Sequence, residues 1–303
     1  MLILNEREVV ELLDPDGCRQ AMAEALASLA RGEVHQPLRF VVRPPGETSL
    51  VGLMPAHRAG PAAAYSLKTV CVFPENPQRG LDAHQGLVCL FDGETGRLDV
   101  VMNASPVTAI RTAAVTAVAT KALARDDAQE LAIVGAGVQA RAHLHALGGF
   151  ERVRIASRTE EHARTLARAT GAEACSTVEE AVRDADVVVL ATNASEPVLR
   201  REWLKPGAHV SAVGMGKELD DATLADATLF VDTRASAEVE GGIPPELIHA
   251  ELGEVLIGEQ AGRTSPDELT AFRSLGLAVE DLFAAEYVVR RARDTGMGTT
   301  LDF

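Results

Sequence analysis

Residues 131–147, LAIVGAGVQARAHLHAL, run from an apolar stretch through two glycines, one residue apart, into an amphipathic stretch. The segment ELAIVGAGVQA matches G-x-G-x-x-A, with Gly135, Gly137 and Ala140 at the fixed positions. Between a strand and a helix, each letter has a task. The first glycine allows the tight turn and the second lets the backbone approach a pyrophosphate. Ala140 permits close packing of helix on strand, and the helix N-terminus favours the anion. A plain glycine-rich turn could carry the same letters, but the flanking apolar strand and following helix point to a dinucleotide.

The residues about 20 positions on discriminate between dinucleotides. An NAD site usually ends its second strand in Asp or Glu, which binds the ribose hydroxyls. Here the segment is VRIASRTEE, and Ser157, Arg158 and Thr159 follow the strand. No carboxylate stands at the strand end to repel a 2′-phosphate. Arg158 offers a bidentate donor flanked by two hydroxyls. NADP(H) is therefore expected over NAD(H). NAD(H) stays possible if Arg158 is merely solvated and Glu160 or Glu161 takes the ribose.

Three cations stand in unusual company. The stretch VTAIRTAAVTAVATKALA (107–124) carries two charges, Arg111 and Lys121, among Ala, Val, Thr, Ile and Leu. A helix apolar all round is buried. Lys121 can snorkel near the C-terminus, but Arg111 has no acid at i±3 or i±4 and needs an anion from elsewhere. That anion is either a distant Asp or Glu in a structural pair, or a substrate carboxylate or cofactor phosphate. In AYSLKTVCVF, Lys68 shares a strand face with Ser66, Val70 and Val72. It lies either on the wet side of a sheet or in a site. Arg39, between Leu38 and Phe40, poses the same choice. Asp232 ends the strand ATLFVD, where open α/β sheets bind ligands; it could equally cap the helix that follows. Together, two arginines and a lysine would hold an amino-acid-like carboxylate. A lysine or aspartate near the reacting carbon would move a proton, and a nicotinamide a hydride.

These residues need elements to hold them. Residues 5–31 read as one or two helices, with Asn5 and Asp14 as N-caps and Pro15 in a first turn. PLRFVVRP (37–44), SLVGLMP (49–55) and AYSLKTVCVF (64–73) read as strands, and GLVCLFDGETGRLDVVMNA (86–104) as a hairpin around Asp92–Gly96. The first 104 residues thus form helices plus an antiparallel sheet. Beyond the 107–124 helix, strands are expected at 130–134, 152–156, 186–191, 208–213 and 228–232. Helices are expected at 138–148, 159–170 and 177–184, and residues 266–293 read as a last helical segment. This alternation implies a mostly parallel, doubly wound sheet and an α/β class.

Composition narrows the field. The net charge of −15, with 4% aromatic residues and no basic run, speaks against nucleic acid and a membrane surface as partners. A local positive cluster could still draw in a small anion. Cys18, Cys71, Cys89 and Cys175 are scattered, with no CxxC, so neither a metal site nor a disulfide scaffold is expected and a reducing cytoplasm fits. No apolar stretch approaches the roughly 20 residues of a membrane span, and MLILNEREVV is not a signal peptide.

The chain also resembles the ornithine cyclodeaminase/μ-crystallin family along nearly its full length. The segments that carry the likeness are QPLRF, GLMPAH, LKTVCVFPEN, LFDGETG, AIRTAAVTAVATKALA, IVGAGVQA, EWLKPGAHVSAVG, LFVDT, AELGEVLIG and SLGLAVEDL. The RTAA helix followed by GAGVQA is the most specific. SRT after the second strand agrees with the μ-crystallin branch of NADPH-dependent ketimine reductases. The resemblance implies a Rossmann domain over 113–279. It also implies an N-terminal α+β domain over 1–112, joined by 280–303, that binds substrate and builds a homodimer. The family's substrate arginine falls on Arg39 and its active-site lysine on Lys68. The helix arginine that meets substrate carboxylate and cofactor falls on Arg111, and the late-strand acid on Asp232. Cofactor contacts fall on Gly137, Val138, Gln139, Ser157, Arg158, Thr159, Thr192, Val213, Gly214 and Ser274. Glu251 would face the substrate. The cyclodeaminase branch carries a substrate-touching glutamate near the segment LVGL; here the nearest match is Gly52, which weakens ornithine as substrate.

The expected activity is NADPH-dependent reduction of a cyclic imino acid, Δ1-pyrroline-2-carboxylate or Δ1-piperideine-2-carboxylate, to proline or pipecolate. The alternatives are ornithine cyclodeamination with catalytic NAD+, an alanine dehydrogenase-like reaction, and a non-catalytic NADPH-binding protein of the crystallin kind. Contacts of His84 or Gln85 with the substrate are left open.

Overall fold

The computed structural model describes residues 1–302. In chain order they form β1 (Leu2–Leu4), α1 (Glu6–Leu12), α2 (Pro15–Ala30), β2 (Val34–His35), β3 (Phe40–Val42), β4 (Leu50–Arg58), β5 (Ala64–Val72), β6 (His84–Asp92), β7 (Leu98–Asn103) and α3 (Ala104–Leu123). Next come β8 (Glu130–Val134), α4 (Val138–Ala146), β9 (Arg152–Ala156), α5 (Glu160–Thr170), β10 (Glu173–Ala174), α6 (Val178–Val182), β11 (Val187–Leu190), β12 (His209–Ala212), α7 (Asp221–Asp226), β13 (Thr228–Val231), α8 (Arg234–Val239), β14 (Ile248–Glu251), α9 (Leu252–Leu256) and β15 (Thr270–Arg273). The chain closes with α10 (Ala278–Thr295) and β16 (Thr299–Thr300). Two compact units emerge: Met1–Arg111 with the segment from Leu277 onward, and Thr112–Gly276.

The first unit is a sheet in the order β16-β1-β7-β6-β5-β4-β2, with β3 also on β4. Every pairing in it is antiparallel except β1 with β7. Capping defines the two helices before it. Asn5 and Glu8 form a capping box on α1, and the Asp14 carboxylate accepts the Gly17 amide ahead of Pro15 in α2. The period of two sorts β4, β5 and β6 into faces. Met54, Lys68 and Val88 lie in register on one face and are buried; α10 packs on it, and on α2. The opposite face leaves Phe40 59% and Leu87 38% exposed. Of the strand expected over 37–44, only β3 forms, as a fully exposed edge segment.

The second unit is a parallel sheet in the order β10-β9-β8-β11-β12-β15-β13-β14. Order reverses between β8 and β11, the switch point of a doubly wound fold. Both faces are covered: Ala132, Val134, Val188 and Leu190 enter one apolar cluster, while Leu131, Ile133, Val187 and Val189 enter another. That explains the continuous apolar strands. The expectation of a helix throughout 266–293 is corrected here. Thr270–Arg273 is a buried strand between β12 and β13, and α10 starts only after Gly276 and Leu277. Four residues are too few to show either period, and pairing between β12 and β13 decides it. The helix expected over 177–184 is shorter than its sequence pattern, with Thr177 as its N-cap.

Candidate functional site

Lys68 and Arg111 meet through Asp281 in the buried core of the first unit, with half-buried Arg39 close enough for its charge to act on Lys68. Lys68 is 2% exposed and Arg111 4%. Lys68 Nζ stands 2.7 Å from Asp281, and Arg111 bonds Glu280 at 2.6 Å through Nη1 and Asp281 at 3.3 Å through Nε. Arg39, just ahead of β3, and Arg111 both bring positive charge to bear on Lys68. Burial pushes the Lys68 ammonium down to about 8, and the Asp281 carboxylate resists that fall. His84, at the start of β6 and on the same face, is also held down by burial and by the charges of Lys68 and Arg111. Lys68 is thus no wet-side lysine. Of the two anions open to Arg111, a distant acidic pair is present.

Glu280 and Asp281 escaped sequence reasoning. They sit in the first turn of α10, 0% and 1% exposed, where the helix dipole favours acids. The Gln36 side chain accepts the Val279 amide beside them. The available signal was two adjacent carboxylates inside the apolar run LGLAVEDLFAA. Their partners lie about 170 positions away, at Arg111.

In the second unit the glycine loop has the geometry a pyrophosphate requires. Gly135 has φ +127°, and a Cβ there would sit 2.3 Å from the Ala191 carbonyl oxygen. Gly137 is the N-cap of α4, with no side chain capping it and open space where a Cβ would point. The first amides of α4 therefore lack a side-chain acceptor, as an anion site demands. Val138 is exposed beside them, and Gln139 Oε1 and Ser274 Oγ are buried without a partner among the described residues. Ser157 Oγ bonds the Thr159 carbonyl. Arg158 and Thr159 are exposed. Glu160 bonds Arg164 at 2.6 Å and Glu161 pairs with Arg168 at 3.3 Å, so both acids that could serve a ribose are engaged nearby.

Two loops follow β11 and β12 at the carboxyl edge of the sheet. Glu218, 2% exposed, joins them. Its Oε1 accepts from the Thr192 amide and hydroxyl, and its Oε2 from the Gly214 amide at 2.7 Å. A Cβ on Gly214 would come within 2.1 Å of the Thr192 carbonyl oxygen, so this crossing needs glycine. Val213 continues the ladder through its amide to Leu190. Glu218 was not singled out in the sequence; nothing local distinguishes it from a surface acid.

Asp232 and Glu251 serve local structure. Asp232, 1% exposed, accepts from the Thr233 amide and Ser236 hydroxyl on one oxygen and from the Leu275 and Gly276 amides on the other. Thr233 is the residue that caps α8. Glu251 caps α9 in a reciprocal box with Glu254 and accepts the Arg234 amide at 2.7 Å. No grouping of residues that could hold a metal ion occurs among the described residues, and no helix there is long and apolar enough to cross a membrane.

Comparison with known proteins agrees with this construction. The profile of the ornithine cyclodeaminase/mu-crystallin family matches residues 1–296. The mouse ketimine reductase mu-crystallin is 41% identical over 279 residues, covering 87% of this chain and 88% of the mouse protein. A Bacillus cereus Δ1-pyrroline-2-carboxylate reductase is 34% identical with both chains fully covered. The structure of the Thermococcus litoralis Δ1-pyrroline-2-carboxylate reductase, in complex with NADH and L-proline, superposes with a TM-score of 0.93. It is 30% identical, covering 99% of this chain and 100% of that one. An archaeal alanine dehydrogenase dimer with bound NAD superposes with a TM-score of 0.92 at 32% identity, over 100% and 99% of the two chains. A buried lysine–arginine–carboxylate cluster, a glycine loop at a switch point and a match along nearly the whole sequence converge on one statement: the chain belongs to the ornithine cyclodeaminase/mu-crystallin family.

Proposed function

We propose that the protein is an NADPH-dependent ketimine reductase acting on cyclic imino acids such as Δ1-pyrroline-2-carboxylate and Δ1-piperideine-2-carboxylate. The observation that carries this reading is the Arg39–Lys68–Arg111 cluster, in which Lys68 and Arg111 are buried and Arg39 half-buried. It offers cations to a carboxylate. Its acids, Glu280 and Asp281, are already committed to Arg111 and Lys68. An ornithine side-chain amine would need an anion of its own. Around Lys68 the sheet presents Met54, Val70 and Val88, with Gly52 beside Val70.

Bound NADPH would supply the hydride to the C=N carbon. Arg39 and Arg111 would fix the substrate carboxylate, and Lys68 Nζ would give the imine nitrogen its proton, leaving a neutral amine that solvent recharges. Asp232 takes a holding role in this scheme, since four donors occupy its two oxygens. Glu251 likewise acts as a helix cap.

The cofactor would lie on Gly135, Gly137, Val138 and Gln139, with Thr192, Val213, Gly214 and Ser274 on the nicotinamide side. Ser157, Arg158 and Thr159 would take a 2′-phosphate. The exposed Arg158 directly after β9, with no carboxylate at the strand end, favours NADP(H).

A homodimer is proposed from the exposed apolar face that includes Phe40, Val42, Tyr65 and Leu87, which a second copy would cover. A cytoplasmic setting accords with four free cysteines.

The test is the loss of NADPH absorbance with Δ1-pyrroline-2-carboxylate, run beside NADH. Lys68→Ala should abolish turnover and keep NADPH binding. Ammonia release from ornithine with NAD+, without imine reduction, would overturn the reading in favour of cyclodeamination.

A further inference from the structure

We propose that Asp281 is the positioning residue of the cation cluster: its carboxylate holds Lys68 charged and aimed, and yokes it to Arg111. The proposal rests on the reductase reading for its chemistry. Its geometry stands on three buried side chains from three elements. One Asp281 oxygen lies 2.7 Å from Lys68 Nζ and the other 3.3 Å from Arg111 Nε. Glu280, one residue earlier, meets Arg111 at 2.6 Å. The two neighbouring acids therefore have different work. Glu280 pairs with Arg111, whereas Asp281 pairs with both Arg111 and Lys68.

A buried lysine with no acid beside it would lose its proton and with it the capacity to protonate an imine. The charged groups acting on Lys68 are Asp281 from α10, Arg111 from α3 and Arg39 ahead of β3. His84 from β6 titrates in the same field. Among the groups whose charge acts on Lys68, Asp281 alone favours the ammonium. In the reaction the Nζ–H bond breaks as the imine N–H bond forms, while the hydride reduces the carbon. The lysine must regain its proton each cycle, and Asp281 is what makes that favourable near neutral pH.

The experiment compares kcat/KM against pH for wild type, Asp281→Asn, Asp281→Glu and Glu280→Gln, each checked for folding by circular dichroism. Wild type should lose activity on the basic side near 8, where burial and Asp281 together set Lys68. In Asp281→Asn the basic limb should move acidward by about 1–3 pH units, the range set by one close counter-charge. Asp281→Glu should keep the limb and lower kcat. Glu280→Gln should keep the limb and raise KM. An unmoved limb in folded Asp281→Asn overturns the proposal, as does a limb that moves in Glu280→Gln instead. If Asp281→Asn does not fold, an unchanged kcat in folded Asp281→Glu overturns it. Calorimetric binding of pyrrole-2-carboxylate, a planar anion, separates this failure from failure of the reductase reading. An inactive wild type whose binding still shows the acidward shift in Asp281→Asn loses the reductase reading and keeps the role of Asp281. Absence of binding at every pH overturns both.

Discussion

Glu218, itself buried, accepts through Oε1 from both the amide and the hydroxyl of Thr192, at 2.9 and 2.7 Å. Its other oxygen takes the Gly214 amide, so one carboxylate fixes two loops at the carboxyl edge of the sheet. Burial pushes the Glu218 carboxyl up, and these donors hold it back. Glu218→Gln replaces one acceptor oxygen by a donor group and sets donor against donor. A hydrogen bond to a charged group is worth about 1.5–3 kcal/mol. NADPH affinity should therefore fall by about 10- to 100-fold, read by quenching of NADPH fluorescence. An unchanged affinity would confine Glu218 to holding the fold.

Arg158 supplies the second prediction. It is exposed just after β9, and the neighbouring acids Glu160 and Glu161 are engaged elsewhere. Arg158→Ala should lower kcat/KM with NADPH by about 10- to 100-fold, the value of a lost charge-assisted contact, and leave NADH nearly unaffected. Equal losses with both cofactors would remove Arg158 from phosphate recognition.

The contrast between these two residues shows what a single sequence discloses. Arg158 is legible because it lies a fixed number of residues after a glycine loop, and local spacing is what a chain displays. The same holds for β8 and β9, whose bounds match their apolar runs. Glu218 is not legible, because Thr192, which gives it two of its bonds, lies 26 residues away in another loop. Arg111 is half legible. An apolar helix with one arginine demands an anion, but only the packing of α10 brings Glu280 and Asp281 to it. Asp232 is legible as a strand-end acid, but its bonds to the Leu275 and Gly276 amides, more than forty residues on, are not.

Removing the lysine from its pair gives the third prediction. Lys68→Met keeps the volume and leaves Asp281 without its closest cation. Breaking a buried pair in this way costs about 3–5 kcal/mol. The double variant Lys68→Met/Asp281→Asn removes both charges of the pair, so its loss should be smaller than the sum of the single losses by about 1 kcal/mol or more. Denaturant melts of the four proteins decide it. Additive losses would show that the pair is not coupled.

The exposed face of the first sheet gives the fourth. Leu53, Thr69 and Leu87 lie in register on it, opposite to Lys68. Leu87→Glu puts a charge where a second copy would pack, so light scattering should report a monomer in place of a dimer. A dimer that survives would place the interface elsewhere.

The last prediction concerns acid stability. His209 is fully buried, with Nδ1 2.9 Å from Thr270 Oγ1 and Nε2 3.0 Å from Ser211 Oγ. The Thr270 hydroxyl donates to the Leu123 carbonyl, so it can only accept from His209. That places the imidazole proton on Nδ1 and makes Nε2 the acceptor for Ser211. A second proton would break this arrangement beside the Arg263 charge. Burial pushes His209 down to about 3 and His143 to about 4. Both lie below the ordinary histidine value near 6.5, so the unfolded chain binds protons that the folded one refuses. Their contribution is complete above about 6.5 and is lost as pH falls toward these folded values. By about pH 5 the loss reaches on the order of 2 kcal/mol for each histidine. Thermal melts of wild type should show a steep fall between pH 7 and 5. His209→Gln, uncharged throughout, should start lower and fall less over that interval. Parallel pH profiles for the two proteins would show that His209 contributes nothing to the acid limit.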